Sequence, residues 1–109
     1  EERRQAGWPS FACLALLRAE ANERPPVFSF LQVAAALARA QAPAGLNVLG
    51  PAAAPMERRA GRYRGQLLLQ AASRRELQRL LPVWREALAD IESQRRVRWS
   101  LDVDPVDLF

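Results

Sequence analysis

The sequence predicts an α+β fold of the split βαβ type: a four-stranded antiparallel sheet with two helices on one face. Three observations carry that reading. Short apolar runs alternate with two longer segments of helical period, in the order strand, helix, strand, strand, helix, strand. A turn centred on Gly61 joins the two middle runs. A chain of 109 residues, half of them hydrophobic, is enough for one domain with a modest core and too apolar to stay disordered.

In chain order, residues 1–10 are polar around a Gly7-Trp8-Pro9 turn and read as a linker arriving from elsewhere. The chain does not begin with Met and looks like a piece of something longer. Phe11 to Ala21 suits a strand, although its Ala and Leu content suits a helix on pattern alone. Asn22 to Pro26 is a turn leading into a helix with proline near its start. Val27 to Gln41 is that helix, with Phe30, Ala34, Leu37 and Val33 or Val27 on one face and further alanines suited to close packing on a sheet. Pro43 and Gly45 end it.

Leu46 to Gly50 reads as a short strand stopped by Gly50-Pro51, followed by a proline-extended segment to Glu57. Arg62 to Ala71 is the return strand, and its apolar stretch Gln66 to Gln70 belongs near the sheet centre or is buried on both faces. Ser73 and Glu76 form an S-x-x-E capping box. The helix behind it shows a stripe of Leu77, Leu80, Leu81, Trp84, Leu88 and Ile91, with Pro82 predicting a kink or a restart. Val97 to Val103 alternates as a last strand, with Val97, Trp99, Leu101 and Val103 on one face and Arg98, Ser100 and Asp102 on the other. This element order is that of the ferredoxin-like sandwich.

Composition removes several function classes. Histidine is absent and Cys13 is the only cysteine, which excludes a zinc site built on thiols or imidazoles, an intrachain disulfide, and Ser-His or Cys-His catalysis. There is no lysine, hence no phosphate loop ending in Lys-Ser or Lys-Thr. Asp102, Asp104 and Asp107 have no ligand set around them and read as a solvated strand end. No apolar run is long enough to span a bilayer, and the start of the chain lacks the apolar stretch of a signal peptide.

Net charge is +4 and all sixteen cationic side chains are arginine. Seven of them fall between residues 58 and 79. Arg58, Arg59, Arg62 and Arg64 surround Tyr63 on the hairpin, a pattern that suits phosphate contacts with one stacking face and equally suits a solvated hairpin tip. Alternation puts Arg62 and Arg64 on one face of the strand and Tyr63 on the other. Arg74 and Gln78 are four apart and share a helix face, where they could hold an acidic peptide or simply be the polar side of a capped surface helix. Arginines at a helix N-terminus oppose the macrodipole, a mild cost that favours a role for them.

Four strings in this order resemble a known family: Val48 to Pro51, Gly61 to Gln70 (GRYRGQLLLQ), Ser73 to Gln78 (SRRELQ) and Trp99 to Pro105 (WSLDVDP), with Arg4 to Phe11 as an opening. Together they resemble the C-terminal domain of primosomal protein N′, a bacterial replication-restart helicase. The proline spacing near Ala53-Ala54 and the presence of Pro82 depart from the family pattern.

The resemblance implies that residues 1–10 lead from a preceding helicase lobe and that 11–109 are a C-terminal α+β binding domain without catalytic groups. It also implies a cytoplasmic parent, an ATP-dependent 3′–5′ DNA helicase whose ATP, Mg²⁺ and Zn²⁺ sites lie upstream. The domain would bind single-stranded and forked DNA, for which the residues themselves offer Arg58, Arg59, Arg62, Tyr63 and Arg64. It would bind the acidic C-terminal tail of single-stranded DNA-binding protein through Arg74 and Gln78, during primosome assembly beside the helicase core and other primosome proteins. The competing expectation is a structural or ligand-sensing ferredoxin-like domain that only docks on its parent.

Overall fold

A computed structural model of the chain describes residues 13–41, 46–59, 61–95 and 97–103. The elements are β1 (Cys13–Ala21), α1 (Arg24–Gln41), β2 (Leu46–Arg59), β3 (Arg62–Ala71), α2 (Arg74–Arg95) and β4 (Arg98–Val103). They form one four-stranded sheet in the order β2-β3-β1-β4, antiparallel at every pairing, and both helices pack on one face. This is the split βαβ sandwich expected from the sequence.

β1 settles its own ambiguity by period. Cys13, Ala15, Leu17, Ala19 and Ala21 are all buried, an every-second-residue pattern that a helix would not give, with Leu16 the one further buried position. Small side chains at four of these five positions let the helices approach the sheet closely. α1 begins at Arg24, earlier than Val27, because Pro25 and Pro26 occupy a first turn whose backbone N–H groups need no intrahelical acceptor. Its buried stripe is Val27, Phe30, Leu31, Ala34, Ala35 and Ala38. Facing it, α2 buries Leu77, Leu80, Trp84 and Leu88. The Trp84 indole N–H donates to the Ala34 carbonyl at 2.9 Å, which satisfies the one polar atom of the largest core side chain.

β2 differs from expectation. It does not stop at Gly50-Pro51 but continues as one strand to Arg59. β2 is an edge strand, where a proline's missing N–H costs no ladder bond. The break is absorbed instead as register shifts between Leu49 and Ala52 and again between Ala53 and Arg58. Gly50 has φ +110°, and a Cβ there would lie 3.3 Å from both the Ala52 nitrogen and the Gln66 carbonyl, so the bend needs glycine. Arg39 donates to the carbonyls of Val48 and Gly50 at 3.4 and 3.3 Å, tying the end of α1 to the bend.

α2 runs unbroken through Pro82, so of the predicted kink or restart the restart does not occur. Pro82 and Gln78 are both exposed, so water can reach the Gln78 carbonyl that lacks its helical donor. β3 is central, as read: Leu67 and Leu69 are buried under the helices, while Leu68 is half-buried on the other face. Leu16, beside Leu68 on that helix-free face, is buried too. On β4 Val97 is buried just before the strand, Trp99 and Leu101 are half-buried and Val103 is exposed, a gradient expected at an edge. Trp99 stacks on Phe30 with ring centroids 6.4 Å apart. The predicted linker at 1–10, the helix stop at Pro43 and Gly45, and the strand stop at Asp104-Pro105 lie outside the described residues.

Candidate functional site

β3 separates the two halves of the basic segment. Arg62 opens the strand and Ala71 ends it, just before α2. Nine residue steps of about 3.3 Å put the hairpin end and the start of α2 roughly 30 Å apart. One contiguous patch is thereby excluded.

At the hairpin end Gly61 makes the turn with φ +79°, and Arg59 pairs with Arg62. Tyr63 lies opposite Ala21 and Arg58 in the ladders and packs on the helix side of the sheet against the core. The Arg58 guanidinium sits 5.4 Å from its ring centroid, so this aromatic face already has a cation over it. Arg62 and Arg64 point to the helix-free face, as alternation required. Arg62 Nε donates to the Glu20 carboxylate at 2.5 Å, and its Nη1 donates to Asn22 Oδ1 at 3.0 Å. About a third of each partner's side chain is exposed, so this ion pair stabilises the fold by no more than about 1 kcal/mol. Its effect is to fix the direction of the guanidinium. The side chain of Arg59 lies outside the described residues.

The tertiary structure brings other arginines to this end. Arg24, at the start of α1, sits 4.4 Å over the Phe28 ring. Arg98, at the start of β4, and Arg64 on β3 both pair with Glu20 of β1 in the ladders. Arg98 and Arg18 were the residues that spacing in the sequence did not group with the hairpin. The signal for Arg98 was the alternation of VRWSLDV, but its alignment with Arg64 depends on which strands flank β1. Arg18, half-buried, is paired with Asp102, which places that carboxylate in an internal ion pair. Among the described residues no group of three His, Cys, Asp or Glu side chains could hold a metal ion.

At the other end, the Ser73 hydroxyl bonds the Glu76 carboxylate. This bond, together with the backbone N–H groups of Glu76 and Ser73 and the charge of Arg75, holds the Glu76 carboxyl below its ordinary value of 4.5. The Glu76 carboxylate thus reaches back to the Ser73 backbone N–H, the return half of the capping box the sequence predicted. The box presents Arg74 and Gln78, both exposed, on the first two turns of α2. Across the described residues no helix is long and apolar enough to cross a membrane.

Among solved structures, a de novo designed protein, Foldit4, superposes with a TM-score of 0.63 at 7% identity, covering 87% of this chain and 98% of the design. At that identity the likeness shows the fold alone. The replication restart protein PriA of Haemophilus influenzae is 40% identical over 106 residues, 97% of this chain and 14% of its own length. The protein of the same name from Treponema pallidum is 35% identical over 99% of this chain and 16% of its own length. The chain therefore spans about a sixth or less of the relatives it matches. The profile of the primosomal protein N C-terminal domain matches residues 4–106, nearly the whole sequence. On that match and those identities, the chain belongs to the primosomal protein N C-terminal domain family.

Proposed function

We propose that this chain is a non-catalytic binding domain of a replication-restart helicase. In this reading it contacts single-stranded and forked DNA at the hairpin end and the acidic tail of single-stranded DNA-binding protein at the start of α2. The observation that supports it best is the separation of the basic segment into two surfaces roughly 30 Å apart, each with its own anion chemistry. Arg58, Arg62 and Arg64 offer guanidiniums to a polyanion, with Arg59 beside them in sequence. Arg74 and Gln78 offer a charge and an amide side by side, suited to a short carboxylate-rich peptide. Tyr63 would take part through the Arg58 cation held on its ring, or by exchanging that cation for a base.

The helicase chemistry belongs to the parent in this reading. ATP and Mg²⁺ need a lysine-containing phosphate loop, and a thiol zinc site needs several cysteines; this sequence has neither. Those groups, the helicase core and the other primosome proteins would be met through segments outside this chain, in the cytoplasm.

A second reading has an observation of its own. Arg62 is engaged by Glu20 and Arg18 by Asp102, which is what a domain that only docks on its parent would also show. Fluorescence anisotropy with fork DNA across a salt series separates the two. Phosphate contacts give an affinity that falls steeply with salt, and reversing Arg58, Arg59 and Arg62 to Glu lowers it on every sequence. Absence of DNA binding at low salt favours the docking domain. Arg74→Ala should weaken an acidic tail peptide more than DNA; equal losses would contradict two separate sites.

A further inference from the structure

On the helix-free face a cleft of about 240 Å³ opens over β4, β1 and β3. Its lining side chains are Arg18, Glu20, Arg64, Arg98 and Ser100. Ala19 and Trp99 also border it, but both are turned to the helix side, where Ala19 is buried and Trp99 stacks on Phe30. Glu20 lies between Arg64 and Arg98 in the two ladders, so these arginines stand on strands either side of β1, about 10 Å apart. Glu20 already holds Arg62, and Arg18 already holds Asp102. Arg64 and Arg98 have no ion-pair partner among the described residues.

Three guanidiniums from three adjacent strands therefore face one cleft, with Glu20 in its lining and Asp102 beside it, held by Arg18. We propose that this cleft is a phosphodiester site for single-stranded nucleic acid, in which Arg64 and Arg98 bind backbone phosphates and Glu20 is an internal counter-ion that limits their affinity. The inference rests on the nucleic-acid reading above and moves its centre from the hairpin tip to the sheet face. Guanidinium forks match phosphate oxygens bidentately. The described residues of this face include no aromatic side chain: Tyr63 and Trp99 are on the opposite side. Bases thus have no platform here, and binding is indifferent to sequence and to the bases themselves. A short acidic peptide is the less suitable occupant, because the two apolar residues that border the cleft, Ala19 and Trp99, turn their side chains to the helix side.

The test uses the 109-residue chain with fluorescent oligo-dT, an abasic oligonucleotide of the same length and an acidic peptide, at 50 to 200 mM salt. Arg64→Gln with Arg98→Gln should weaken both oligonucleotides about equally, roughly tenfold at the lower salt. The log–log salt slope should become shallower by about 1.4, the loss of two single-strand phosphate contacts. Glu20→Gln should tighten both oligonucleotides about two- to fivefold, a gain that misfolding cannot produce. Inorganic phosphate should compete no better than chloride at equal ionic strength; if it competes specifically, the site takes a free phosphate and the strand reading of the cleft is overturned. Unchanged oligonucleotide affinity in the double variant, with loss on reversing Arg58, refutes the cleft while keeping the nucleic-acid function. No binding by the unmodified chain refutes both. Loss of peptide binding alone reassigns the cleft to a protein partner and refutes the proposal.

Discussion

Gly65 sits in the middle of the basic β3 strand, between Arg64 and Gln66, yet it is buried. A Cβ at this position would lie 2.7 Å from Leu31 Cδ1, 3.1 Å from Val27 Cγ1 and 3.3 Å from Phe28 Cζ. Leu31 and Val27 are fully buried on α1, so neither methyl has room to turn away. Gly65→Ala must therefore push the start of α1 off the sheet or force a rotamer. Overpacking of this kind costs about 1–3 kcal/mol. Alanine's smaller entropy loss in a strand offsets about 0.5–1 kcal/mol of that. The net expectation is a loss of about 0.5–2 kcal/mol, a fall in Tm of about 2–8 °C with the urea m-value unchanged. Gly65→Val, larger and β-branched, should lose more. Thermal and urea unfolding followed by circular dichroism measure both. A neutral or stabilising Gly65→Ala would show that α1 and β3 are not this close. It would also undercut the placement of Arg64, whose position depends on the same strand.

Two further tests concern α2. Pro82→Ala should stabilise the chain by about 1–2 kcal/mol, since proline is about 3 kcal/mol worse than alanine inside a helix and part is offset by the stiffer unfolded chain; a Tm that does not rise would mean Pro82 relieves strain elsewhere. The Glu76 carboxyl is held below its ordinary value, so its capping contribution is fully present above about pH 4.5 and is lost as pH falls through the lower folded value. Glu76→Gln keeps a side chain that can cap, so it should flatten the acid limb of a Tm-versus-pH curve in that window; identical acid limbs for both proteins would contradict the assignment.

Much of the fold was legible because period and punctuation are local. The capping box of Ser73 and Glu76, the Gly61 turn and the start of β3 at Arg62 all stand where the residues put them. Two prolines misled for the same reason in opposite settings. Pro51 reads as a stop, but an edge strand tolerates a missing N–H and absorbs the break as a register shift. Pro82 reads as a kink or a restart; there is no restart, because the exposed helix back gives the unpaired carbonyl access to water. Neither outcome can be read without knowing which strand lies at the edge and which helix face meets the core.

The site divides in the same way. Residue types and spacing by themselves determined that every cationic side-chain contact must be built on arginine, that Arg62 and Arg64 oppose Tyr63, and that Arg74 and Gln78 share a helix face. These follow from the two periods of the backbone. The division of the basic segment into a hairpin part and a helix part was also legible in chain order, but only the tertiary structure decided that Tyr63 lies beneath Arg58 and that Arg98 joins Arg64 across Glu20. Those relations are set by the strand order β2-β3-β1-β4, which brings residues 20, 64 and 98 side by side. The strand order belongs to the split βαβ class already read from the sequence, but the register that sets these three residues level comes from how strands and helices pack together, and no local pattern in the chain encodes it.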